Sequence, residues 1–281
     1  MRLAINQFTT MPASFDEDVA AYSAAGFEGI GLLELKLPHS DDSVSLAALE
    51  AAGLGVSAAV PALWTILPNT LPMCAYEPRD PAARADAIAA SVRRLAAFEP
   101  ESILCMTGPL GDRSEAEGRR IVIDGLRKIS AAAREAGVRV GVEPVHVTMR
   151  DTFSFLTSLG DVIDLLDSAM LDDLGVMVDT YQVWDSSTVY EDIAKHGERI
   201  TGVHLADWAG PGQPGHLLPG EGNSNAVELV RALAQAGWDG YLDVEAVSPD
   251  HLWTLDADEV ARRAHASLQS VVEAALNADP A

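Results

Sequence analysis

The chain is short of cysteine, of basic residues, of long apolar runs and of glycine where a nucleotide-binding fold would need it. Each shortage closes off a class of protein. Cys74 and Cys105 are the only cysteines in 281 residues. Both sit among small or apolar neighbours without metal-type spacing, which argues against a disulfide-stapled scaffold or a thiolate metal site and fits a reduced, cytoplasmic protein. Lys and Arg number 19 against 42 Asp and Glu, for a formal net charge of -23. A polyanion repels nucleic acid and anionic membrane surfaces, so small molecules are the expected partners. No segment approaches the roughly 20 apolar residues of a membrane span. The opening Met1-Arg-Leu-Ala-Ile-Asn-Gln-Phe8 carries too short an apolar run for a signal peptide. The turn after the first apolar run, Asn6-Gln-Phe-Thr-Thr-Met-Pro12, contains no glycine. It therefore lacks the Gly-rich phosphate turn of a doubly wound nucleotide-binding sheet.

What is present is alternation. Apolar residues make up 48% of the chain, ample for a sizeable core. Short apolar runs read as strands at Leu3–Gln7, Gly29–Glu34, Gly55–Val60, Ser102–Met106, Arg139–Glu143, Leu174–Asp179, Ile200–Leu205 and Tyr241–Glu245. Longer amphipathic segments read as helices at Asp16–Ala25, Ser43–Ala52, Pro81–Phe98, Glu115–Ala136, Asp161–Met170, Val189–His196, Ala226–Ala236 and Ala257–Leu276, several closed by glycine. A long proline-rich loop is expected over Trp64–Arg79. Alternation of this kind predicts a parallel sheet with crossover helices, and eight units in about 250 residues is the size of a (β/α)8 barrel. No stretch reads as a linker, so residues 1–281 are expected to form one α/β domain, a (β/α)8 TIM barrel.

Polar residues recur at the C-terminal ends of these strands: Gln7, Glu34, Glu143, Asp179, His204 and Glu245. In a barrel those ends converge on one mouth, where active sites lie. Glu143, Asp179, His204 and Glu245 belong to four consecutive strands. Three carboxylates and an imidazole close together need a counter-charge, and a divalent cation supplies one. Mostly oxygen donors with one nitrogen favour Mn2+, with Mg2+ or Co2+ as alternatives. Taken singly, each residue also fits a structural role. Glu143 or Asp179 would serve as a helix cap or an arginine's partner, and His204 as a hydrogen-bonded core histidine. Gln7 and Glu34 are candidates for the pocket on position alone. His146, three residues past Glu143, is either a loop histidine or a general base for chemistry near neutrality. Trp184 and Trp208 follow strands six and seven closely and offer an apolar wall for a sugar ring, or ordinary packing.

Five stretches carry a resemblance: Gly141-Val-Glu-Pro-Val-His146, Val178-Asp-Thr-Tyr-Gln-Val-Trp184, Val203-His-Leu-Ala-Asp-Trp208, Leu218-Pro-Gly-Glu-Gly222 and Asp243-Val-Glu245. Together they resemble the sugar phosphate isomerase/epimerase superfamily, the xylose isomerase-like barrel. That resemblance implies one divalent cation held by Glu143, Asp179, His204 and Glu245, with Glu143 and Glu245 exchanging protons with the substrate. It implies a metal-dependent isomerase or epimerase of a ketosugar. The alternative within the same superfamily is a lyase that begins with the same proton abstraction. That would be an inosose dehydratase or the catalytic subunit of a C-glycoside deglycosidase, and His146 points towards the latter. Many members carry histidine three residues after the strand-six Asp, where this chain has Gln182. Many carry arginine ahead of the Pro-Gly-Glu-Gly-like turn, where this chain has His216. Both positions are expected to bind substrate. Losing a fixed cation, together with the net acidity, favours an unphosphorylated sugar. Relatives form homo-oligomers, and a deglycosidase would need a small partner subunit.

Overall fold

A computed structural model describes residues 1–38, 41–69, 71, 77–210 and 215–277. The barrel strands are β1 (Arg2–Asn6), β2 (Gly29–Leu33), β3 (Gly55–Val60), β4 (Ser102–Cys105), β5 (Val140–Val142), β6 (Gly175–Asp179), β7 (Ile200–Leu205) and β10 (Tyr241–Val244). They close in the order β1-β10-β7-β6-β5-β4-β3-β2, and every pairing is parallel. Between β7 and β10 a small antiparallel ribbon pairs β8 (Asp207–Trp208) with β9 (His216–Leu217). The alternation read from the sequence is therefore a closed eight-stranded barrel.

The helices are α1 (Phe15–Ala25), α2 (Asp42–Ala52), α3 (Pro81–Leu95), α4 (Glu115–Ala136), α5 (Leu159–Ser168), α6 (Thr180–Val183), α7 (Val189–His196), α8 (Ala226–Gln235) and α9 (Ala257–Asn277). Local signals set their ends. Ser14 and Glu17 form a reciprocal capping box on α1, and Gly26, at φ 92°, closes it in a left-handed conformation. Asp80 caps α3 ahead of Pro81. Most helix ends fall within a residue of the sequence reading, and the larger differences have local causes. The α3 helix gives way at Leu95 to a 3-10 turn over Ala96–Phe98. The α5 helix starts two residues early because Ser158 caps it through Asp161 N. A one-turn helix, α6, follows β6 directly.

Strand periodicity sorts the barrel's two faces. Val140 and Val142, Val176 and Val178, Val203 and Leu205, and Leu242 and Val244 all join the apolar layer between sheet and helices. The residues of opposite parity point inward: Gly141 and Glu143, Met177 and Asp179, Gly202 and His204, Asp243 and Glu245. A smaller apolar cluster of Leu33, Ala58, Val60, Leu104, Met106, Val145 and Met177 fills the interior. Phe8, Met11, Trp64, Met149 and Phe153 pack on it.

Candidate metal and active site

The β5 ladder runs one residue beyond the strand, because Glu143 N donates to Cys105 O at 2.9 Å. Pro144 then offers no N–H and the strand stops. At the end of β10, Glu245 N likewise donates to Leu205 O at 3.0 Å. These last ladder bonds aim both carboxylates at the imidazole on β7. His204 Nδ1 lies 3.3 Å from Glu143 Oε2 and 2.5 Å from Glu245 Oε2. The His204 side chain is fully buried, and Glu143 and Glu245 are 2% and 12% exposed. One ligand atom from each of the three lies within 4.8 Å of the others.

Proximity is not matched by hydrogen bonding. Among the described residues, Glu143 Oε2 and both nitrogens of His204 are buried with no aligned partner. Buried polar atoms are normally paired, and leaving one unpaired costs about 1–3 kcal/mol. A convergent set of two carboxylates and one imidazole, three of its atoms unpartnered, fits a divalent cation such as Mn2+, Mg2+, Co2+ or Zn2+.

The electrostatics agree. Burial raises the Glu143 carboxyl above its ordinary range, against a smaller lowering by His204. Burial, then Glu143 and Glu245, push Asp179 well above the carboxylate range. Burial alone would lower His204, but Glu245 and Glu143 outweigh it and hold the imidazolium well above pH 6.5. The metal-free site therefore keeps protons that a bound cation would displace.

Asp179 ends β6 in register with His204 and is 2% exposed. Its Oδ1 accepts from Tyr181 N at 2.9 Å, capping α6. It stands beside the group of three rather than inside it. The remaining sequence candidates lie around this centre. His146 N donates to Gln182 Oε1 at 2.9 Å, tying the β5 loop to α6. The His146 ring contacts Thr148 Oγ1 at 2.7 Å through Nδ1 and Asp185 Oδ2 at 3.0 Å through Nε2. His216, on β9, donates from Nδ1 to Glu245 O at 3.1 Å. A carbonyl only accepts, so the proton is on Nδ1 and Nε2 keeps its lone pair in the neutral ring. Burial lowers the His216 pKa and favours that neutral form. Its ring stacks on Tyr181 at 3.7 Å between centroids, and Trp184 stacks on Trp208 at 4.7 Å.

Gln7 and Glu34 have structural partners. Gln7 Nε2 donates to Asp18 and Gln7 Oε1 accepts from Leu33 N, in a buried network with Thr10 and Lys36. Glu34 accepts from Ala62 N and pairs with Arg94. Trp64, at the start of the long loop, packs edge-on against Phe8. Met73 and Tyr76 fall outside the described residues.

Two carboxylates emerge that sequence reasoning passed over. Asp207 is 1% exposed and accepts from the backbone N–H of Trp208, Gly220, Gly222 and Ser224. It thereby holds the Pro219-Gly-Glu-Gly222 turn; a Cβ at Gly222 would meet Trp208 O at 2.4 Å. Asp243 lies inside the barrel beside His204. Its signal was present in the alternation of Asp243 and Glu245 on one strand.

The chain matches the xylose isomerase-like TIM barrel over residues 19–271. No curated protein matches it in sequence. Its fold is similar to that of protein SMc04130 from Sinorhizobium meliloti, at 24% identity and TM-score 0.85, over 96% of this chain and 98% of that one. It is also similar to an IolI protein with a bound zinc atom, at 16% identity and TM-score 0.80, over 99% of this chain and 100% of that one. A third likeness is to 3-keto-D-glucoside 4-epimerase from E. coli, at 18% identity and TM-score 0.76, over 96% of this chain and 98% of that one. With a closed parallel barrel and a match spanning nearly all of it, this chain belongs to the xylose isomerase-like TIM barrel family.

Proposed function

We propose that the protein is a divalent-metal-dependent carbohydrate enzyme of the isomerase or epimerase type. It would remove a proton next to the carbonyl of an unphosphorylated ketosugar. The observation that carries this reading is the buried Glu143–His204–Glu245 group with its unpartnered atoms. Those three residues, with Asp179 beside them, would hold the cation, Mn2+ being the first choice. When bound, the cation supplies electrophilic stabilisation of the negative charge that develops on the carbonyl oxygen as the proton leaves.

The chain's own residues supply the rest. Glu143 and Glu245 would act as the base and acid that take and return the proton on opposite faces of the substrate carbon. The Tyr181–His216 and Trp184–Trp208 stacks would cover an apolar ring face. His216 Nε2 would accept from a substrate hydroxyl. Gln182 acts through His146 by holding its backbone.

The second reading is a lyase that expels a group from the neighbouring carbon after the same abstraction. The substrate would be a 3-keto-glycoside or an inosose. The His146–Asp185 contact favours it, because a carboxylate-paired histidine at the mouth supplies the acid or base that such an expulsion needs. The test is proton NMR in D2O with Mn2+, offering free ketoses, an inosose and a 3-keto-glucoside. Deuterium in the recovered sugar or its epimer, with no fragment released, supports the isomerase or epimerase. A released aglycone or dehydrated product supports the lyase. No exchange with any of them would sink both.

A further inference from the structure

Asp243 occupies a seat built by several strands for one carboxylate. Register places it directly beside His204, β10 against β7. Ser57 Oγ, from β3, donates to its Oδ2 at 2.8 Å, and Asn6 Nδ2, from β1, donates to the same oxygen at 3.4 Å. β2 makes room: a Cβ at Gly31 would lie 2.3 Å from Asp243 Oδ2 and 2.4 Å from Asn6 Nδ2. The residue is 1% exposed, and its Oδ1 has no hydrogen-bond partner among the described residues. Among the described residues, no lysine or arginine is paired with it. The imidazole edge of His204 faces it: Nε2 lies 3.9 Å from Asp243 Oδ2, an electrostatic contact rather than a hydrogen bond. The opposite edge, Nδ1, faces Glu143 and Glu245.

A histidine ligates through a lone pair, so one ring nitrogen must be bare and the other must carry the proton. Which is which depends on what the second nitrogen faces. We propose that Asp243 is a positioning residue: it holds the proton of His204 on Nε2, leaving the Nδ1 lone pair directed at the space between Glu143 and Glu245. A tie between strands would need only the Ser57 and Asn6 bonds. It would not need the carboxylate to stand 3.9 Å from the imidazole, nor a second, unpaired oxygen to be buried with it. The inference rests on the metal-site reading above and adds a residue to it.

The test is calorimetric titration of the purified metal-free protein with Mn2+, wild type against Asp243→Asn. Asn keeps the size of the side chain and removes its charge. The expected result is an affinity about 10- to 100-fold lower in D243N, with circular dichroism unchanged. A folded D243N whose affinity falls by less overturns the proposal. A wild type that binds no Mn2+ removes the metal site and, with it, this role. A wild type that binds while D243N equals it removes the role of Asp243 alone. In case D243N does not fold, a second measurement uses the wild type. With diamagnetic Zn2+ bound and histidine 15N-labelled, His204 should show a protected Nε2–H proton. A proton on Nδ1 instead overturns the proposal.

Discussion

His204 Nδ1 lies 2.5 Å from Glu245 Oε2, a contact made by two buried strand-end residues that share no aligned hydrogen bond. Glu143 approaches the same nitrogen from β5, on the other side of β7 from β10. A pair so close and so poorly aligned is not a finished ion pair, and together with Glu143 it could hold a divalent cation.

Adding Mn2+ should therefore stabilise the protein. At a free concentration 100-fold above Kd the gain is about 2.7 kcal/mol. For a chain of this size that corresponds to a rise in melting temperature of several degrees. Differential scanning calorimetry with and without EDTA measures it. An unchanged Tm across a wide Mn2+ range would count against the site.

The pH dependence of the metal-free protein follows from its buried acids. Glu143 and Asp179 are raised by burial, and Asp243 is raised from 3.8 to about 7, mainly by burial. A folded-state pKa above the unfolded value contributes stability that is complete below the unfolded pKa and lost as pH rises through the folded one. His204, raised by its carboxylate neighbours, has the same sign. Asp243 therefore weakens the metal-free fold as pH rises from about 4 to about 7, Glu143 and Asp179 act in the same direction above their ordinary range, and His204 does so only above pH 6.5. The stabilisation by Mn2+ should grow over the same window, because the cation takes the place of the protons. Thermal melts at a series of pH values with Mn2+ or EDTA will show the two curves diverging. Parallel curves would contradict it.

Glu245→Gln and Glu143→Gln should each lower turnover about 100-fold or more while the barrel stays folded. Glu143→Gln removes a carboxyl from a fully buried position, so the metal-free variant should be at least as stable as wild type above pH 7. Steady-state rates and urea unfolding of both variants check this. Near-normal turnover in Glu245→Gln would rule out its assignment as acid or base.

His146→Ala separates the two proposed reactions. Under the lyase reading, expulsion should fall about 100-fold while deuterium exchange into the substrate persists. Under the isomerase reading, epimerisation should change little, because His146 is engaged by Thr148 and Asp185.

Asp207→Ala should destabilise by at least about 3 kcal/mol, since one carboxylate accepts four backbone donors in a buried turn. Its effect should appear in urea unfolding and as a raised KM, because the turn positions the β9 residue His216.

Much of the candidate site was legible in strand ends. Glu143 and Glu245 follow alternating apolar residues, and His204 sits among them. Period-two geometry therefore already placed the three on one face. Gln7 and Glu34 end their strands in the same way, yet their polar atoms are held by Asp18, Leu33 N, Ala62 N and Arg94. Nothing local distinguishes them from Glu143, because the distinguishing partners lie on other elements. Asp243 was hidden for the complementary reason: its chemistry depends on Ser57, Asn6 and the missing side chain of Gly31.

By itself the sequence determined the count of eight units, the ends of most helices and the inward face of each strand. All three depend on neighbours within a turn or two along the chain: periodicity, capping residues and the glycines that tolerate positive φ. Closure of the barrel decided the rest. It set which inward residues meet across strands, left Asp179 beside the group of three, and put Asp243 against His204. It also stacked Trp184 on Trp208 and Tyr181 on His216. These contacts depend on register and on the β8–β9 ribbon, and pairings between distant segments are specified jointly by the whole sheet rather than by any one stretch of chain.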